Sequence, residues 1–399
     1  MKTLTSLFLI SATSAILSYP GAVLADDKGG FYVFDAFWIR YVAANGVIRT
    51  VVGNGAVVLT PDGVAGLEYS PGYIRAMARS ANGELYFVDP QYCIVSRLDA
   101  QGIVRRVAGI PRDCGFSGDR GPAASAKLND PTGIAFDPQG RLVIADRGNH
   151  RIRRVNADGV IETIGGTGDS QTFAAEGLSA LQSPISSPVS VAVATDGTVY
   201  FAETSYRRVR RIAPDGRIAT VAGTGEIGHS GDGGPATAAR FGIIELVALD
   251  APRNRLFICD SEWHRVRVVS LASATISNAA GIFIPSLGAP DSPAASFSGD
   301  NGPAVSAGLS SPSGIAVEAN GSLLIADTVN HRVRRADTTI RTVAGRFRDT
   351  AEGPAARAEM IFPRNFAATP AGDLLIADAG NRIIRRLTRS GTISIFAGT

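Results

Sequence analysis

Residues 131–166 read Pro131-Thr-Gly-Ile-Ala-Phe-Asp-Pro-Gln-Gly140, Arg141-Leu-Val-Ile-Ala-Asp146, Arg147-Gly-Asn-His-Arg-Ile-Arg-Arg-Val-Asn-Ala-Asp-Gly159, Val160-Ile-Glu-Thr-Ile-Gly-Gly166. Four short β-prone segments are separated by Gly-bearing turns. The acid closing the second segment recurs as Asp35, Asp89, Asp146, Glu203, Asp260, Asp327 and Asp378, at intervals of 51 to 67 residues. Six residues before each acid stands Gly29, Gly83, Gly140, Gly197, Asn254, Gly321 or Gly372. Gly or Asn is what a tight hairpin needs where φ turns positive. Pro opens the first segment at 20, 131, 188, 312 and 363, where its missing N–H removes no ladder bond.

Repeats of this length, each with four short strands, predict an all-β chain: a single closed β-propeller of four-stranded blades, seven blades favoured and six the alternative. No unit can bury both sheet faces alone, so neighbours must stack, and closure removes the terminal edges. The Asp-x-x-Asn-His-Arg-(Ile/Val)-Arg-Arg pattern at 146–154 and 327–335, after a Pro-x-Gly-Ile-Ala strand, resembles the NHL-repeat β-propeller family, related to gluconolactonase-like propellers. The resemblance covers about 20–399 and implies the fold. It says little of activity, because that family spans enzymes, binding modules and scaffolds.

The remaining composition narrows the classes. With 45% hydrophobic and 19% charged residues, the 399-residue chain is not of the disordered type. No run of about 18 apolar residues occurs, so no transmembrane segment is expected. A net charge of +3 and the lack of interleaved aromatics argue against a nucleic-acid partner. Met1-Lys2, the apolar Leu4–Ile10 and the Ser/Ala-rich stretch to Leu17 read as a signal peptide over 1–19, followed by the propeller over 20–399. Cleavage after Ala25 is the alternative, but it would remove the first strand of the first blade. A secreted or periplasmic location follows.

Alternation along four-stranded blades puts the Pro-x-Gly starts, the acids, the Asn-His turns and the long connectors on one face. The tight Asn-Gly and Asp-Gly turns fall on the other. Long connectors carry function more often than tight turns do. Cys93 and Cys114 meet on the connector face at neighbouring strands and are expected to form a disulfide. Cys259 fills a slot held elsewhere by Ala and reads as a free core thiol.

The recurring residues have structural readings. One acid per blade is expected to satisfy backbone donors or the Arg run of the third strand. Those runs include Arg151/Arg153, Arg208/Arg210, Arg265/Arg267 and Arg332/Arg334. An anionic polymer or lipid surface is the other reading of the arginines. His150, His264 and His331 each open a third strand, about 10 Å outside the first at the usual strand spacing. They cannot converge on zinc and are expected to fasten blades. Three connectors repeat Ser-Gly-Asp-x-Gly-Pro-Ala, with Asp119, Asp232 and Asp300. The expectation is a short helix with its Asp at the positive end; calcium on these three carboxylates is the weaker alternative.

Where the repeat breaks at the channel mouth, Arg75, Glu245, Arg364 and Asn365 replace small or neutral residues. They are the candidate ligand-binding set, for an anionic or hydroxylated ligand. No catalytic residue, metal ligand or cofactor is assigned, because one carboxylate, Glu245, is too few for acid–base chemistry. The reading is an exported, non-catalytic propeller that binds a protein or glycan, or acts as a scaffold, through its connector face. A lactonase- or lyase-like enzyme with a divalent metal at the channel mouth is the alternative.

Overall fold

The turn chemistry fixes the hairpins. Gly83, Gly140, Gly197, Gly321 and Gly372 all carry positive φ, and Asn254 takes the same left-handed conformation at φ 51°. The computed structural model describes residues 10–11, 20–25, 31–35, 37–43, 45, 47–56, 58–172, 176–286, 289–293, 296–318, 320–330, 332–344, 353–354, 360, 363–369 and 371–398. Its strands form small antiparallel sheets in sequence order, a β-propeller architecture. Four consecutive strands form the body of each of the sheets at 20–52, 76–108, 131–165, 188–222, 244–280, 312–344 and 363–397, and Ile10–Ser11, Val64–Ala65, Gly121–Pro122 and Gly353–Pro354 add a short fifth strand to four of them. A separate two-stranded pair joins Pro285–Ser286 to Ala289–Pro293. Among the described residues there is no α-helix, only single 3-10 turns.

The register puts the Pro starts and the acids at one end. Pro131 pairs with Asp146, Pro188 with Glu203, Pro312 with Asp327 and Pro363 with Asp378. Pro20–Ala25 is a first strand of the same kind, with Pro20 opposite Asp35. Ile10–Ser11 pairs with Val47 and Ile48 at the outer edge of that sheet. The rest of the expected signal peptide over 1–19 lies outside the described residues.

First strands of successive sheets lie against one another, and the fourth strands lie on the outer side, covered in four sheets by a short extra strand. The core is therefore a series of inter-sheet layers. Val88, Val95 and Ala108 pack against Ile134, Leu142 and Ile144 of the next sheet. The 3-10 turn Ala123–Ser125 wedges Ala123 into this layer, with Ala126 and Leu128 following. Close approach explains one glycine that no turn requires: a Cβ on Gly133 would meet the Val189 carbonyl oxygen at 2.8 Å.

The three Ser-Gly-Asp connectors do end in short helices, single 3-10 turns at Ala123–Ser125, Ala236–Ala238 and Ala304–Ser306. The role expected of the aspartates is corrected. None caps its turn; Asp119, Asp232 and Asp300 instead reach arginines of the third strands, because the connector crosses the sheet edge there.

Candidate functional site

The acid column is buried. Asp89, Asp146, Glu203, Asp260, Asp327 and Asp378 are all fully inaccessible. Five accept a backbone N–H from the segment leading into their own first strand: Gly72, Asn129, Ser186, Gly242 and Ser310, at 2.7–3.0 Å. Burial raises the carboxyls of Asp89, Asp146 and Asp327 to about 6 and that of Asp260 to about 7, against these hydrogen bonds and the nearby guanidinium groups. It pushes Glu203 up as well.

Beside the acids lie buried arginines. Arg385 contacts Asp378 at 2.7 Å, Arg334 contacts Asp327 at 3.3 Å, and Arg153 lies 3.7 Å from Asp146. The connector closes over three of them. Arg153 donates to the Ser117 and Lys127 carbonyls and to Asp119 at 2.7 Å. Arg267 does the same with Ser230, Arg240 and Asp232, and Arg334 with Ser298, Gly308 and Asp300. These bonds offset much of the cost of desolvating a guanidinium, although Arg153 Nε and Arg334 Nε find no hydrogen-bond partner among the described residues. The recurring arginines are thus internal partners of the acids. The three aspartates named for calcium each hold a cation of the chain itself.

The residue before each Ser-Gly-Asp is aromatic, a feature that the residue-by-residue reading missed. Phe116 lies under the Arg151 guanidinium at 3.6 Å, and Phe297 under that of Arg334 at 5.0 Å. Both gain cation–π contact while remaining exposed. The third such residue, His229, stacks on Phe283 at 3.8 Å, with Trp263 edge-on at 5.3 Å.

Histidines tie sheet to sheet, as expected. His150 Nδ1 accepts the Ser187 N–H at 3.1 Å, and His264 Nδ1 accepts that of Ser311 at 3.0 Å, each across to the next sheet. Both rings have depressed pKa values, chiefly through burial. His331 lies outside the described residues. Further ties run from Thr132 Oγ1 to the Val189 carbonyl and from Thr204 Oγ1 to that of Ile244. Cys259, buried and free, donates its thiol to the Pro312 carbonyl.

Arg75 precedes its first strand and is exposed; Glu245 is the exposed second residue of Ile244–Asp250. Arg364 and Asn365 follow Pro363 in the equivalent strand. Thr132, at the same register position, is buried and committed to the neighbouring sheet. Cys93 and Cys114 form a disulfide, with Cα atoms 5.5 Å apart. Among the described residues no group of three His, Cys, Asp or Glu side chains is placed to hold a metal ion. No helix there is long and apolar enough to cross a membrane.

The NHL-repeat profile matches residues 128–155, and the teneurin NHL domain profile matches 159–356. The chain is an NHL-repeat β-propeller. Teneurin-m of Drosophila melanogaster is 27% identical over 82% of this chain, and human Teneurin-4 is 27% identical over 50%. The chain spans only 12% and 8% of those proteins. A streptogramin B lyase structure superposes with a TM-score of 0.58 at 15% identity, covering 97% of each chain. The virginiamycin B lyase of Staphylococcus aureus gives 0.56 at 16%, covering 93% of this chain and 95% of its own. At such identities the likeness is one of fold.

Proposed function

We propose that the chain is an exported, non-catalytic propeller that binds a protein or glycan through its connector face. The observation that carries this reading is the internal use of the repeated chemistry. The six described acids of the column are buried, and the guanidinium and imidazole groups described above engage carboxylates, backbone groups or neighbouring sheets. What remains for an outside molecule is the part of the connector face where the repeats differ. There Arg75 and Glu245 stand exposed, and Arg364 and Asn365 occupy the equivalent strand position. The disulfide and the apolar amino-terminal stretch support export with a leader at 1–19.

A single closed ring of seven wedges over 20–399 is part of this reading. Pro20–Ala25 lies against both Ala76–Arg79 and Pro363–Ala368, and Val42 and Ile48 share a core layer with Leu375, Ile384 and Phe396. The contact with Pro363–Ala368 and the shared core layer join the first sheet to the last, and the contact with Ala76–Arg79 joins it to the second.

The test is capture of binders from the secretome or cell envelope, with wild type beside Arg75→Ala/Arg364→Ala. A partner retained by the first and lost by the second is the expected result. Stoichiometric calcium or zinc in the purified protein, lost in Glu245→Ala, would replace this reading by a metal-dependent lactonase or lyase.

A further inference from the structure

The connector end of the 244–280 sheet departs from its neighbours. In the 131–165 sheet Asn129 fills the space over Gly148, which would otherwise hold that residue's Cβ. Here the arrangement is reversed. A Cβ on Gly242 would meet Glu262 Oε2 at 2.6 Å and Trp263 Cδ1 at 2.8 Å. Acid and indole thus converge above the Gly242 N–H, which itself serves Asp260. Three polar atoms at this point are inaccessible and have no hydrogen-bond partner among the described residues: Glu262 Oε2, Asp260 Oδ2 and Trp263 Nε1. Trp263 is only 5% exposed and Asp260 is fully buried.

Around these atoms lies an apolar rim. Ile227, Ile243 and Ile282 are 51%, 42% and 39% exposed. Each is tied to the surroundings of the aromatic stack: Ile227 bridges to Phe241, the Ile243 carbonyl accepts the Ser261 N–H, and Ile282 adjoins Phe283 in the stack with His229 and Trp263. The nearby cations are already committed. Arg265 and Arg267 are held by Asp232, and Arg265 also by the His229 carbonyl. What the patch offers outward is aliphatic surface, aromatic edges and the carboxylate of Glu262.

Given the connector-face reading above, we propose that this patch is the docking site for a protein segment presenting an apolar side chain beside a lysine or arginine. The side chain would lie on the isoleucine rim, and the cation would meet the carboxylate of the half-buried Glu262. Exposed β-branched aliphatics favour a protein over a sugar, which binds flat aromatic faces among many polar groups.

The experiment is selection of a random-peptide phage library on the full chain, with counterselection on Glu262→Gln/Ile243→Asp. Selected peptides are then titrated against Trp263 emission in a Trp38→Phe background, since Trp38 and Trp263 are the two tryptophans. The expected result is enrichment of sequences pairing Lys or Arg with Ile, Leu or Phe, bound at least about tenfold more weakly by either single variant. Leu181→Asp, on the opposite face, should bind as wild type, and unchanged melting of all variants secures the comparison. No enrichment, acidic peptides, equal binding by Glu262→Gln, or neutral oligosaccharides shifting Trp263 in place of peptides would each overturn the proposal. Partner capture that needs Arg75 and Arg364 but ignores Glu262→Gln would remove this site and leave the connector-face reading standing.

Discussion

Asp119 and Arg153 lie 34 residues apart in the chain and meet in an ion pair of 2.7 Å, with the guanidinium wholly buried. The pair joins a connector to the third strand of the sheet that follows it. Because Arg153 also reaches Asp146 and two backbone carbonyls, it is the centre of a closed polar network rather than one partner of a surface pair.

Removing that centre should cost more than removing a rim residue. Arg153→Met would strand Asp146 beside an apolar chain and cost about 3–5 kcal/mol, the range for a broken buried pair. Equilibrium urea unfolding checks this. Arg217→Met, at an exposed pair, should shift the midpoint by well under about 1 kcal/mol.

Stability should vary with pH in two opposed windows. An acid raised by burial binds its proton more tightly when folded. Its contribution is complete below the unfolded value of 3.8 and is lost as pH climbs through about 6 for Asp89 and about 7 for Asp260. His150 and His264, depressed by burial, contribute above 6.5 and lose that contribution as pH falls. Wild-type stability should therefore fall between pH 6.5 and 8, and Asp260→Asn should flatten that fall. Denaturant midpoints at each pH decide it; a parallel slope in the variant would contradict the assignment.

The inter-sheet imidazole bonds should be measurable singly. His264→Phe leaves the Ser311 N–H without its acceptor and should cost about 1–3 kcal/mol. Loss of protection at that amide in hydrogen exchange would localise the effect.

Reduction of Cys93–Cys114, or Cys114→Ser, should lower stability by about 3 kcal/mol on the chain-entropy account for a loop of this length. Melting with and without reductant tests it. Cys259 should stay unreactive to thiol reagents until unfolding, because burial both hides it and pushes its pKa well up.

The fold was legible because the acid and the turn residue recur in every unit and the strand-opening Pro in five of the seven, as Pro131, Asp146 and Gly140 show. The disulfide followed from the same topology, since alternation alone puts Cys93 and Cys114 at one end. The partners of Asp119 were not legible. Its helix-end role rested on local sequence, whereas the carboxylate's position depends on the path of the connector across the sheet edge. Glu262 escaped notice for a related reason. A single acid in a turn carries no signal until Gly242, 20 residues earlier, is seen to leave room for it.

The connector at 109–130 adds its Gly121–Pro122 strand, its Ala123 wedge and its Asp119 to the sheet that comes after it. The heritable module is therefore strap first and sheet second, running from Gly109 to Gly165. Excision, duplication or circular permutation of a repeat should succeed when the cut falls after Ala108. A cut just before Pro131 would leave each transplanted sheet without its own fastening and hand it a foreign one.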